Sequence, residues 1–207
     1  WDDIVATANR HNDPGNFTAF IAYEYTTTAT DGGNLHRNVI FRGNVAPELP
    51  FSRIDSTNPE DLWNWMDQIR SAGIESLAIP HNSNGSNGNM FMLTDWLGNP
   101  LDGAYAEQRM RNEPLVEITQ VKGTSDTHPA LSPNDEWADF DIMPLRIAST
   151  KASRPQGSYV REAYLTGLLL ETEKGINPYK FGVIGSSDTH NAAGSFEEDN
   201  YWSKTGY

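Results

Sequence analysis

Asn58-Pro-Glu-Asp-Leu-Trp-Asn-Trp-Met-Asp-Gln-Ile-Arg-Ser-Ala-Gly73, running on into Ile74-Glu-Ser-Leu-Ala-Ile-Pro80-His81, decides how this chain is read. Asn58 is placed to cap a helix, Pro59 suits its first turn, and Glu60 and Asp61 complement the positive end of its dipole. Leu62, Trp65, Met66 and Ile69 follow at i, i+3, i+4 and i+7, with Trp63 beside that face, and Gly73 ends the segment. The spacing predicts a helix over 59–72. The apolar run 74–79 then predicts a strand whose end presents His81.

Outward from this unit the pattern recurs. A helix over 102–112 stops before Pro114 and feeds a strand over 115–119. Ser158 is placed to cap a helix over 159–173, with Val160, Ala163, Tyr164 and Leu168 on one side, and Phe181 to Ile184 is the next strand. Toward the N-terminus, residues 1–12 read as a helix closed by Asp13-Pro14-Gly15. Phe17 to Tyr25 reads as a strand covered on both faces, and after a Gly-Gly turn Asn38 to Arg42 is another short strand. Alternating helices and strands with polar groups at strand ends predict an α/β fold with a parallel sheet, a portion of a TIM-like barrel. Four or five strands are too few to close one. Segment 121–157 is long and irregular, with a short capped helix expected at Ser132–Glu136, and reads as a lid or binding wall.

The 207 residues fit one domain. The formal charge of −13 argues against a nucleic-acid partner and against docking on anionic membranes. It leaves room for an anionic small-molecule substrate where a bound dication reverses the local field. The absence of cysteine removes disulfides, thiolate metal sites and cysteine nucleophiles. No apolar stretch is long enough to span a membrane. The chain opens on Trp1-Asp-Asp-Ile with helical character and stops at Glu197–Tyr207 without a terminating element. It therefore reads as an interior fragment, incomplete at both ends.

Chemistry concentrates at predicted strand ends. In Phe181-Gly-Val-Ile-Gly-Ser-Ser-Asp188-Thr-His190 a carboxylate and an imidazole stand two positions apart, on one side if the run stays extended. Glu24 ends an otherwise apolar run, His36 directly precedes a strand, and His81 directly follows one. Carboxylates and imidazoles so placed suit a divalent metal or general acid/base work. Each has a plainer reading: Glu24 paired with Arg37 or Arg42, His36 as a loop histidine, Asp188 as a turn cap. Lys122 and His128, in the loop after the 115–119 strand, are candidate substrate contacts or solvated loop residues. Asn82-Ser-Asn-Gly-Ser-Asn-Gly-Asn89 has the composition of a phosphate cradle without the Gly-Lys-Ser/Thr ending of a P-loop. No Gly-x-Ser-x-Gly elbow is present.

Several stretches together resemble one family. They are Phe17-Thr-Ala-Phe-Ile-Ala-Tyr-Glu-Tyr25, Asn34-Leu-His-Arg-Asn-Val-Ile-Phe-Arg42, Leu77-Ala-Ile-Pro-His-Asn-Ser-Asn84, Glu113-Pro-Leu-Val-Glu-Ile-Thr-Gln-Val-Lys-Gly123, Ser132-Pro-Asn-Asp-Glu136 and Gly182-Val-Ile-Gly-Ser-Ser-Asp-Thr-His-Asn191. In order and across the whole chain, they look like the DUF3604 family. That family is similar to the PHP (polymerase and histidinol phosphatase) branch of metal-dependent hydrolases, which implies a distorted (β/α)7 barrel. The resemblance implies that Glu24, His36, His81, Asp188 and His190 are metal ligands, Glu24 bridging two ions and Asp188 also orienting the attacking water. It also implies a His-x-His upstream of Trp1, so that this chain holds roughly half of a site. The expected cofactors are divalent ions, Zn or Mn first and Fe next. The expected activity is metal-dependent hydrolysis of a phosphoester or similar ester, with Arg37, Asn82, Lys122 and His128 at the substrate. The alternatives are a non-catalytic binding module holding one structural metal and a carbohydrate-processing enzyme with paired carboxylates.

Overall fold

A computed structural model describes residues 1–190 together with 197 and 199. Asn191 and most of the 197–207 tail lie outside the described residues. The elements are α1 (Asp2–His11), β1 (Ala22–Tyr25), β2 (Arg37–Phe41), α2 (Pro59–Ser71), β3 (Ser76–Pro80), α3 (Gly103–Asn112), β4 (Leu115–Gln120), β5 (Gly123–Thr124), α4 (Val160–Lys174) and β6 (Gly182–Gly185). They form two three-stranded sheets, in the orders β1-β2-β3 and β5-β4-β6, with β3 packed beside β4.

The barrel expectation does not hold. β1 pairs with β2 and β2 with β3, both antiparallel. β4 and β5 are also antiparallel, and only β4 and β6 run parallel. Neither closure nor a (β/α)7 repeat is present among the described residues. Helix–strand alternation carried the expectation, but it does not fix which strands pair. The β1–β2 connection contains no helix and turns back at Asp31-Gly32-Gly33, where Ala29 N–H donates to the Gly33 carbonyl. A return of that kind can only be antiparallel. Glycine is required at 33, since a Cβ there would stand 2.0 Å from the Ser86 carbonyl oxygen. This close approach seats the turn on the 82–89 loop.

The helices follow their sequence signals closely. The Asn58 side chain accepts from Glu60 N–H and caps α2, whose buried residues include Leu62, Trp63 and Met66. Asp102 caps α3 through Tyr105 N–H, and Gly175 in the left-handed region ends α4. Other expectations are revised. The strand predicted from Phe17 shrinks to Ala22–Tyr25, with Phe17 and Phe20 exposed. Among the described strands β1 is an edge, so it does not need cover on both faces. Leu168 is exposed, because α4 buries Val160, Ala163, Gly167 and Leu170 instead. Ser158 accepts from Gly88 N–H and donates to the Arg154 carbonyl rather than capping α4. Ser132–Glu136 forms turns, not a helix.

Two apolar clusters fill the interior. One gathers Ile21, Tyr25, Val39, Leu62 and Trp63 under the first sheet, and the other gathers Leu35, Phe91, Val116, Val160 and Phe181 under the second. They are tied together by a buried ionic knot. Glu113 accepts from Arg37 Nε at 2.7 Å and Trp63 Nε1 at 2.9 Å. Its second oxygen lies 3.3 Å from Arg109 Nε, an ion pair without hydrogen-bond geometry. Arg109 also lies within 5.0–5.7 Å of the Trp63, Phe91 and Tyr179 ring centres, cation–π contacts that offset part of its desolvation. Among the described residues no helix is long and apolar enough to cross a membrane.

Two stability outcomes follow. Glu113→Gln leaves two buried guanidiniums without their anion and is expected to cost about 3–5 kcal/mol, read as a lower urea midpoint. A loss below about 1 kcal/mol would mean that the knot is not structural. Asp67 binds Arg111, Asn112 and Gln108 across the α2–α3 contact. Arg111 is the largest cause of its pKa falling to about 2, with burial opposing. Its folded value lies below its unfolded one, so its contribution is full above pH ~4 and disappears as pH falls through ~2. Asp67→Asn is expected to cost about 1–2 kcal/mol at pH 7 after allowance for partial exposure. The gap should close between pH 4 and 2, and a gap independent of pH contradicts the assignment.

Candidate metal centre

The antiparallel register that rules out a barrel also assembles the site. Tyr25 lies opposite Arg37, and Arg37 opposite Pro80. The C-terminal end of β1, the N-terminal end of β2 and the C-terminal end of β3 therefore share one edge of the sheet. Glu24, His36 and His81 stand at those three places, and His81 N–H donates to the His36 carbonyl. In a parallel sheet His36, at the start of its strand, would be at the opposite edge.

One carboxylate oxygen receives both imidazoles. Glu24 Oε1 is 2.8 Å from His36 Nδ1 and 3.1 Å from His81 Nε2, and the two rings meet edge to face at 5.7 Å. These hydrogen bonds hold Glu24 far below the usual carboxylate range, with burial opposing. Burial pushes His36 below the ordinary histidine value against the pull of Glu24. Side-chain exposures of 31, 15 and 5 % for Glu24, His36 and His81 place the carboxylate nearest solvent.

The residues fit a divalent ion. Two imidazole nitrogens and one carboxylate oxygen lie within 4.8 Å of one another, close enough for an ion about 2.0–2.2 Å from each. His81 Nδ1 is buried with no hydrogen-bond partner. Nε2 faces Glu24 Oε1 and carries the ring proton there; an ion bound at Nε2 would replace that contact and move the proton to Nδ1. Three protein ligands with an open position is the arrangement of catalytic rather than closed structural sites.

The His81–Asn82 corner is braced from three sides. Asn34 Nδ2 donates to the His81 and Asn82 carbonyls at 2.7 and 3.3 Å. Glu117 Oε1 accepts from Asn82 N–H at 3.2 Å, and Gln120 Nε2 donates to Asn82 Oδ1 at 2.8 Å. Asn82 itself adopts a left-handed conformation, φ 51°, which asparagine tolerates better than most residues. Sequence reasoning passed over Asn34 and Glu117. Glu117 carried one usable signal, a carboxylate inside the apolar run Leu115-Val-Glu-Ile. Burial raises its pKa, with His81 the largest opposing influence.

The other expected site residues are placed as follows. Asp188 lies outside the three-ligand group and pairs through Oδ2 with Lys122 Nζ. His190 Nδ1 is 2.8 Å from the Asp188 carbonyl oxygen. β6 ends at Gly185, and Asp188 and His190 take φ of 52° and 56°. They do not lie on one extended strand, but the turn still brings His190 Nδ1 to 3.5 Å from Asp188 Oδ1. Arg37 is buried against Glu113 and the Leu35 carbonyl, which also removes it as the partner of Glu24. His128 packs against Tyr159 and accepts from Ala130 N–H, apart from the triad. The asparagine-rich 82–89 loop is a brace: Asn87 and Asn89 bind Asp31, and Asn84 binds the Lys122 carbonyl. A cavity of about 350 Å³ lined by Phe91, Arg154 and Glu162 shares no residue with the triad. Glu162, the carboxylate in its lining, is occupied by Gly157 N–H.

No curated protein and no solved structure gives a match. One family model, described as "Protein of unknown function (DUF3604)", matches residues 1–207. The likeness carried by the strand-end motifs thus extends over the full length, and the chain belongs to the DUF3604 family.

Proposed function

We propose that Glu24, His36 and His81 are protein ligands of a divalent metal in a hydrolase site, with a phosphoester as the first substrate class to consider. The observation that carries this reading is the meeting of Glu24 Oε1, His36 Nδ1 and His81 Nε2 from three separate chain segments within 4.8 Å. A structural site draws its ligands more often from a local cluster. The motif-level likeness to PHP proteins favours hydrolysis over other metal chemistry. The barrel is no part of this reading.

A divalent ion held there supplies Lewis-acid chemistry, lowering the pKa of water and polarising an ester oxygen. The chain's own residues do the rest. Glu24 and the two imidazoles would hold the ion. Glu117, Gln120 and Asn34 keep His81 oriented. Lys122 is the cation we assign to an anionic oxygen, with Asp188 holding its ammonium and Glu24 among the charges that act on it. Zn, Mn and Fe all accept such a donor set.

The test is metal content by inductively coupled plasma mass spectrometry after loading and desalting, paired with turnover of p-nitrophenyl mono- and diesters of phosphate. The loaded wild-type protein is expected to retain metal and hydrolyse one of the esters. Glu24→Gln and His81→Ala should each weaken metal binding more than about 100-fold, beyond the about 10–100-fold of an outer-shell change. Retention of metal by both variants would overturn the ligand assignment. Metal without turnover would favour a non-catalytic module.

A further inference from the structure

We propose that the cavity between α4 and the 88–94 segment binds a small zwitterion, an α-amino acid with an apolar side chain. The cavity shares no residue with the candidate metal centre, and the inference does not rest on the metal reading.

At about 350 Å³ the cavity is near the lower end of the range for small-molecule sites, about 300–1,000 Å³. Its lining holds one guanidinium, Arg154, one carboxylate, Glu162, and the hydroxyls of Thr94 and Thr166. Phe91 and Leu93 form an apolar wall, and Leu93 is 59 % exposed. Among the described residues Arg154 and Glu162 pair neither with each other nor with another charge. Arg161, next to Glu162 on the same helix, takes two carboxylates, Asp126 and Asp135. Opposite charges that share a cavity without pairing suit a ligand that carries both signs.

Both charges are held from behind. The Arg154 N–H donates to Asn87 Oδ1 at 2.9 Å, and the Asn87 N–H donates to Ser153 Oγ at 2.9 Å. The guanidinium lies against Gly88, where a Cβ would stand 2.2 Å from Nη2 and 2.6 Å from Nε. Residue 88 therefore has to be glycine for Arg154 to keep this place. Glu162 Oε2 accepts from Gly157 N–H at 2.6 Å. A carboxylate accepts several donors, so this bond orients Glu162 and leaves it able to receive an ammonium. Gly88 and Gly157 are in close contact, since a Cβ at 157 would fall 2.7 Å from the Gly88 carbonyl oxygen. The segments that position the two charges are thus locked together, and a site held ready in this way loses less entropy on binding.

The ligand class follows from these groups. A guanidinium fork receives a carboxylate through two parallel bonds, and Glu162 complements an ammonium. The threonine hydroxyls serve either group, and the wall of Phe91 and Leu93 takes the apolar side chain. A simple anion would meet the charge of Glu162, and a simple cation that of Arg154.

The experiment is isothermal titration calorimetry of the protein with L-leucine, L-methionine and L-phenylalanine. The one that binds best is then compared with its desamino acid and with its decarboxylated amine. At least one amino acid is expected to bind with a Kd below about 1 mM, and both analogues at least about tenfold more weakly. Arg154→Gln and Glu162→Gln should each weaken binding by about tenfold or more, with circular dichroism confirming the fold. Glutamine at 162 keeps an oxygen acceptor for Gly157 N–H and removes only the charge. Failure of all three amino acids to bind below about 1 mM would overturn the proposal. So would an analogue that binds as tightly as its parent, which would make this a site for a simple ion. Unchanged affinity in both variants would place the binding elsewhere and overturn it too. Should a variant not fold, the analogue series on the wild-type protein decides.

Discussion

The pairing of Arg37 with Glu113 is the constraint on which the rest of this structure depends. Both side chains are almost fully buried, 2.7 Å apart, and Glu113 also gathers Trp63 from α2 and Arg109 from α3, the helix it directly follows. A charge placed this deep tolerates little displacement, because losing a partner leaves it desolvated and uncompensated. Arg37 is the first residue of β2, and His36 directly precedes it. Fixing Arg37 therefore fixes the start of the central strand, and the register of β1 and β3 on either side follows. The knot stands outside the candidate metal centre but determines where its histidines are.

The sheet then does the work that a barrel was expected to do. A barrel collects side chains at the C-terminal ends of parallel strands. This fold collects them at one edge of an antiparallel ribbon, from two strand ends and one strand start. The resulting donor set of two imidazoles and a carboxylate is compact and partly open to solvent. Its outer supports, Glu117, Gln120 and Asn34, come from the neighbouring sheet and the turn. Positive φ at Asn82, Asp188 and His190 shows how much backbone adjustment surrounds the site, as is common where chemistry is positioned.

Much of this was legible in the sequence where a signal is local. The cap, proline and apolar spacing of α2 predicted its extent to within one residue, and the run into Pro80-His81 placed His81 correctly at a strand end. Glu24 and His36 were recognisable as polar groups beside apolar runs. Strand pairing was not legible, because helix–strand alternation is compatible with either direction and the Asp31-Gly32-Gly33 reversal takes effect only through its contact with Ser86. Arg37 was read as a substrate contact, since its buried partner lies 76 positions away. Asp188 and His190 were read as extended because glycine and serine carry no signal for the left-handed turn that separates them from β6. The 121–157 segment was recognised as irregular, but its role in presenting Lys122 depends on Gln120 and Asn84, residues with no motif of their own.

The most direct test is anomalous diffraction from crystals grown with Zn²⁺ or Mn²⁺, with data collected on both sides of the metal's absorption edge. The account predicts a strong peak in contact with Glu24 Oε1, His36 Nδ1 and His81 Nε2. No peak at the triad at saturating metal would contradict it.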